Sequence, residues 1–92
     1  MMSSAGQRAL RIDPSVAKTL QKIPHHDVES ILVAFRLLSV NPYFGDVQKM
    51  KGGLDVWRRR VGAYRIFYRL MTHRNILLVF HVERRSSKTY SR

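Results

Sequence analysis

Apolar positions along the chain change their period partway through. In the first half they recur at helical spacing. Asp13-Pro14 offers a side-chain acceptor at an N-cap followed by proline at the first helical position. Val16, Leu20 and Ile23 then fall at i, i+4 and i+7 until Pro24 ends the run. Val28, Ile31, Leu32, Phe35 and Leu38 continue at the same period until Asn41-Pro42 stops it. These two segments predict a helical hairpin, preceded by a short edge strand over residues 9–12.

From Val47 the pattern is that of strands, expected over residues 47–51, 56–61, 64–70 and 76–82. Gly52-Gly53 separates the first pair. Val61-Gly62-Ala63-Tyr64 reads as a two-residue hairpin with glycine where a type II′ turn requires positive φ. Residues 76–82 are apolar on both faces, as a central strand would be. The polar stretch 84–92 reads as frayed chain or a single helical turn. The expected fold class is α+β: an N-terminal strand and helical hairpin packed on a small, mainly antiparallel twisted sheet.

The Gly62-Ala63 turn sets a register. Counting back from it pairs Val61 with Tyr64, Arg60 with Arg65, Arg59 with Ile66, Arg58 with Phe67 and Trp57 with Tyr68. Alternation then places Arg58, Arg60, Arg65, Phe67 and Arg69 on one face. Trp57, Val61, Tyr64, Ile66, Tyr68 and Leu70 fall on the other, which the helices should cover. Two arginines directly opposed on a sheet repel by a few tenths of a kcal/mol or more. Such a face suits a phosphate backbone with a base stacked on an aromatic ring, although a solvated basic face would look the same. Arg59 falls on the core face, where it should snorkel at the helix edge or stack on Trp57, unless a bulge shifts the register there.

Ninety-two residues fit one domain, residues 1–92, and the absence of cysteine means that packing alone must hold it. The start of the chain lacks a charged, then apolar, leader, and the longest apolar run, residues 76–80, is far too short to span a bilayer. A soluble, cytoplasmic protein with no membrane contact is expected. The formal charge is +11, with six basic and four acidic groups in residues 1–50 against eleven and two in residues 51–92. The strand half therefore carries the positive surface, which favours a polyanionic partner.

Of the four histidines, His25 and His26 fall at the helix–helix turn and His73 in a loop; only His81 comes near the arginine face. No His pair stands at metal-ligand spacing with a carboxylate, and there is neither a glycine-rich phosphate loop nor a serine triad. Metal, nucleotide-cofactor and acyl-transfer chemistries are accordingly not expected.

Asn41-Pro42, Gly45-Asp46, Lys49-Met50-Lys51-Gly52, Trp57-Arg58-Arg59-Arg60-Val61-Gly62, Tyr64-Arg65-Ile66-Phe67-Tyr68 and the segment from Arg84 to Tyr90, in this order, resemble the RelE/ParE toxin superfamily across the chain after about residue 9. The resemblance implies a toxin of a type II toxin–antitoxin system. In its messenger-RNA-cleaving members, the catalytic positions correspond to Arg58, Arg60, Arg65, Arg84 and Tyr90. Lys49, Lys51, Phe67, Arg69, Arg85 and Lys88 would bind the RNA, and Arg65 and Arg84 are both expected on the polar face. The implied partners are a cognate antitoxin, messenger RNA and the ribosomal decoding site, with no cofactor. The implied reaction is attack of a 2′-hydroxyl on the adjacent phosphate, aided by guanidinium charge.

This chain departs from the best-known pattern by carrying Arg58 and Arg60 where lysines stand, and arginine effectively cannot give up its proton. Arg84 and Arg85 are adjacent, so a one-residue gap would exchange them. The alternatives are a ParE-like inhibitor of DNA gyrase and a non-catalytic RNA- or ribosome-binding protein.

Overall fold

The computed structural model describes residues 7–52 and 54–85. The element order is β1 Ala9–Ile12, α1 Pro14–Leu20, α2 His25–Val40, β2 Val47–Lys49, β3 Val56–Val61, β4 Tyr64–Met71, a 3₁₀ turn Thr72–Arg74 and β5 Ile76–Arg84. The strands form one sheet in the order β1-β5-β4-β3-β2, with β1 parallel to β5 and every other pair antiparallel. This is the α+β arrangement expected from the pattern.

Local chemistry accounts for the boundaries. The Asp13 carboxylate accepts from the Ser15 N–H at 2.9 Å and the Ser15 hydroxyl at 2.8 Å, satisfying an otherwise orphaned donor of α1. Hydrogen bonding from Ser15 also holds that carboxyl below its ordinary pKa, the backbone N–H contributing most. α2 stops at Asn41, which leaves helical geometry and whose side chain accepts from the Tyr43 N–H at 3.1 Å. β2 is two residues shorter than expected: the Met50 N–H bonds back to the Val56 carbonyl, and Gly52 takes φ +122°. At the β3–β4 hairpin Gly62 has φ +56° while Ala63 stays out of the left-handed region, as a type II′ turn requires.

Both helices pack on one face of the sheet, α1 against β5 and α2 against β1, β3 and β5. The core joins Val16 of α1 and Ile31, Ala34, Phe35 and Leu38 of α2 to Tyr64, Ile66, Tyr68 and Leu70 of β4 and Leu77, Val79 and Val82 of β5. The stripe on α2 is shifted slightly from the expected one. Ala34 is buried, whereas Leu32 sits 37% exposed on its shoulder. Trp57 and Val61 pack at the margin of this core, so the β3–β4 register and the division of faces are as read from the hairpin.

Tyr68 is fully buried, and its hydroxyl donates to the Pro42 carbonyl in the loop that leaves α2. This bond fastens that loop over the helix side of the sheet. Tyr68→Phe keeps the ring but strands the carbonyl, a loss of about 1–3 kcal/mol. The expected result is a lower urea midpoint with an unchanged m-value; an unchanged midpoint would mean that water replaces the hydroxyl.

Candidate nucleic-acid interface

The face opposite the helices is organised in two rows running across the strands. In the first, Gln48 of β2, Arg58 of β3, Phe67 of β4 and His81 of β5 are neighbours in register. Arg58 donates through Nη2 to the Gln48 amide oxygen, while its Nε is buried without a hydrogen-bond partner. The His81 ring lies 5.5 Å from the Phe67 ring, centroid to centroid.

The second row holds the opposed arginines, and here the structure answers the repulsion. Arg60 pairs with Arg65, and Arg65 with Glu83. At the β3 end the Asp46 carboxylate approaches Arg60 Nε at 3.5 Å, and its backbone carbonyl accepts from the Arg60 N–H at 3.0 Å. At the β5 end Glu83 accepts from Arg65 Nη1 at 2.9 Å. The order across the row is thus acid, base, base, acid. Glu83 also meets His81 Nε2 at 3.1 Å, which joins the rows. Gln48 and Glu83 carried no mark in the sequence, and Asp46 stood there only within the Gly45-Asp46 motif, not as a partner of Arg60.

His81 reaches this face because β5 is bulged. Phe67 pairs with His81 but Tyr68 with Val79, leaving Phe80 as the extra residue. Leu77 and Val79 point into the core, so unbroken alternation would turn His81 inward as well. The bulge instead turns His81 and Glu83 out and Val82 in, where Val82 is buried.

The same shift relocates Arg84. Expected on the polar face, Arg84 pairs with Tyr64, and its guanidinium carbon lies 5.9 Å from the Tyr64 ring centroid on the helix side. That tyrosine is itself engaged. Its hydroxyl donates to Asp27 at 3.1 Å, and burial first, then Asp27, raises its pKa despite Arg84. The ladder continues one step further through the Arg85 N–H to the Ala63 carbonyl at 2.6 Å, so alternation sends Arg85 to the side of Arg65 and Glu83.

Other expected site residues divide similarly. Arg69 stands on the arginine face but further from the turn, opposite Val56 and Leu78. Lys49 pairs with Trp57 and holds Nζ 5.8 Å from its ring centroid, on the helix-side margin. Lys51 is exposed beyond β2. Lys88 and Tyr90 lie outside the described residues. Arg59 snorkels to the loop after α2, donating through Nη1 to the Phe44 carbonyl at 3.0 Å, with no register break at its position. A Cβ on Gly45 would sit 2.6 Å from the Arg59 guanidinium carbon, so the loop needs glycine there, at φ +93°. Among the described residues no three His, Cys, Asp or Glu side chains gather as a metal site, and no helix is long and apolar enough to cross a membrane.

A parallel edge strand, a helical hairpin on one side and a basic antiparallel face on the other define the RelE-like class of toxin folds. The chain belongs to the ParE/RelE toxin family: the family model described as the ParE toxin of the type II toxin–antitoxin system parDE matches residues 10–88. Its structure is similar to RelE in the archaeal RelE–RelB complex of Pyrococcus horikoshii, with a TM-score of 0.79 and 26% identity over 88% of this chain and 98% of the other. It also resembles the isolated RelE toxin of E. coli, with a TM-score of 0.75 and 17% identity over 86% and 85% of the chains. The toxin in the Methanococcus jannaschii RelB–RelE complex matches with a TM-score of 0.69 and 24% identity over 86% and 94%. No curated protein sequence matches the chain.

The Glu83 link carries a pH signature. Its carboxyl is held below the ordinary range chiefly by the hydrogen bond from Arg65, with help from His81 and against partial burial. The folded state therefore binds that proton less readily than the unfolded chain. The resulting stabilisation is complete above the unfolded glutamate value, about 4.3, and is lost as pH falls through the lowered folded value. Urea unfolding should show Glu83→Gln destabilising at pH 7 and the difference from wild type shrinking below about pH 4. A difference that is constant with pH would place the cost of the substitution elsewhere.

Proposed function

We propose that this toxin is an endoribonuclease that cuts messenger RNA in the ribosomal decoding site and is held in check by a cognate antitoxin. The observation that carries this reading is the gathering of Arg58, Arg60 and Arg65 around Phe67 on the side of the sheet that the helices do not cover. A phosphate can lie among guanidiniums already oriented by Gln48, Asp46 and Glu83, with the flanking base on the ring. Charge placed where a pentacoordinate phosphate gathers negative charge lowers the barrier to 2′-hydroxyl attack. The similar P. horikoshii and M. jannaschii toxins were solved with RelB antitoxins, which supports an antitoxin partner here. Tyr90 retains the role its position implies, to orient the nucleotide or exchange a proton.

Primer extension on a message carried by translating ribosomes, beside a gyrase supercoiling assay, tests the reading directly. Cleavage with intact supercoiling is expected; the reverse would establish gyrase poisoning, and binding without either effect an inert RNA-binding protein. Arg65→Ala should lower the single-turnover rate by about 10²–10³, since it removes charge stabilisation from the transition state. Of the adjacent pair, Arg85→Ala should cost more than Arg84→Ala, because only Arg85 follows the alternation onto the arginine face. Equal, small effects for all three variants would reduce this face to a generic basic surface.

Affinity for a short single-stranded RNA should fall steeply with salt. Four phosphate contacts imply a log–log slope of about −3, and removing Arg58 should flatten it by about 0.7. A slope near zero between low and physiological salt would exclude the arginine face as the binding surface.

A further inference from the structure

The arginines can stabilise charge but cannot take up the proton of a 2′-hydroxyl, because guanidinium stays protonated throughout the physiological range. Another group must do so, and among the described residues the candidates on the helix side, such as His26 and Asp27 beside Tyr64, lie behind the sheet from the arginines. Tyr64 faces the helices with its phenol bound to Asp27 and its pKa raised, and Tyr68 is fully buried. On the arginine face itself, among the described residues, Asp46 and Glu83 are each paired with an arginine. His81 is 53% exposed there, beside Phe67.

We propose that His81 is a catalytic residue, the general base of RNA cleavage, and that Glu83 is its positioning residue. The inference rests on the endoribonuclease reading. Three independent features of the geometry support it. The bulge at Phe80 turns His81 out of the core, and bulges of this kind commonly re-aim a side chain at a functional site. The Glu83 carboxylate is 3.1 Å from Nε2, so a neutral imidazole keeps its proton on Nε2 and leaves the Nδ1 lone pair free, the same division of labour as in a carboxylate–histidine pair of a hydrolase. His81 and Arg58 stand two strands apart across Phe67, about 10 Å at the backbone, with a base-sized aromatic between them.

In the step assigned to it, His81 Nδ1 accepts the 2′-hydroxyl proton as the 2′-oxygen forms its bond to phosphorus. The bond from phosphorus to the 5′-oxygen breaks, and the leaving oxygen takes a proton from water. The products are a 2′,3′-cyclic phosphate and a 5′-hydroxyl end, and the imidazolium returns its proton to solvent. The charged groups on this face from the elements around the imidazole are Glu83 on its own strand, Arg65 on β4 behind that carboxylate, Arg69 on β4 two residues from Phe67, Arg58 on β3 beyond Phe67, and Arg11 on β1 opposite Leu78. On the remaining side β1 ends opposite Val79, and the carboxylate of Asp13 is engaged by Ser15.

The test is single-turnover cleavage on programmed ribosomes from pH 5.5 to 8.5, with single-stranded RNA affinity and circular dichroism recorded for each variant. Wild type should lose rate with unit slope on the acid side, as a histidine base must. His81→Gln, which keeps a hydrogen-bonding group of similar reach, should cost about 10²–10⁴ in rate and abolish the acid limb while RNA affinity changes less than about threefold. Exogenous imidazole should restore part of the rate to His81→Gly. Glu83→Ala, which removes the acceptor that fixes the Nε2–H tautomer, should lower the rate about tenfold with RNA affinity unchanged, and Glu83→Gln, whose amide oxygen can still accept from Nε2, should recover most of it. Glu29→Gln, the same charge change as Glu83→Gln at an exposed position of α2, should leave rate and pH profile unaltered. If wild type cuts and His81→Gln cuts as fast with the same pH profile, His81 is merely packed on Phe67 and the assignment fails alone. If wild type does not cut at all, the endoribonuclease reading falls and takes the assignment with it.

Discussion

The rest of the basic face depends on how two arginines survive directly opposite each other. A type II′ turn forces Arg60 and Arg65 into register, so the repulsion cannot be relieved by slipping one strand; a one-residue slip would also turn Ile66 and Tyr68 out of the core. The structure relieves it sideways, with Asp46 at one end of the row and Glu83 at the other. Each carboxylate draws its own guanidinium outward and fixes its direction. The row comes close to neutral, and its ion pairs hold the two guanidiniums in place instead of letting them splay into solvent. On the proposed reading, an RNA arriving here would have to displace or share these internal partners, which costs part of the attraction, so the surplus charge of Arg58 and Arg85 would decide the net affinity.

The bulge in β5 governs the other half of the site. It is a single extra residue, yet it inverts the facing of everything after it: His81 and Glu83 come out, Val82 goes in, and Arg84 and Arg85 exchange sides. This explains what was legible beforehand and what was not. The β3–β4 register followed from Gly62-Ala63, because a two-residue turn leaves no freedom in pairing. The helices followed from their stripe and from Asp13-Pro14. By contrast, residues 76–80 are all apolar, and a strand without polar alternation carries no mark of where its phase changes. The one available signal was the spacing of His81 and Glu83, two apart after a featureless run. The resemblance implies Arg84 on the polar face, beyond a strand expected to end at residue 82; the ladder instead runs on to Arg84 and, past the bulge, turns it to the helix side.

The helix side supplies the rigidity that such a face requires. Tyr68 and Arg59 alternate with the site residues on β4 and β3, and both reach the loop that leaves α2, one at Pro42 and the other at Phe44. The position of Arg59 on the core face looked anomalous from the pattern alone. Its explanation is long-range: a carbonyl fifteen residues earlier and a glycine with no side chain to block the approach. No local rule of periodicity contains such a contact, whereas the burial of Ile66 and Leu70 beside it was plain from alternation.

These constraints also divide the chemistry between strands. β3 and β4 can hold guanidiniums because their hairpin is fixed and their outer face is uncovered by the helices, but guanidiniums serve only to gather and stabilise charge. For the proposed cleavage, a proton acceptor would have to enter the same face from a neighbouring strand, and β5 is the neighbour of β4 on the side away from β3. With perfect alternation β5 would present Phe80, Val82 and Arg84 there and keep His81 in the core, where a titrating imidazole would be costly. One unpaired residue in the ladder removes that conflict. It keeps Leu77, Val79 and Val82 in the core and delivers a carboxylate and an imidazole to the arginines, so packing and chemistry are reconciled by the same irregularity.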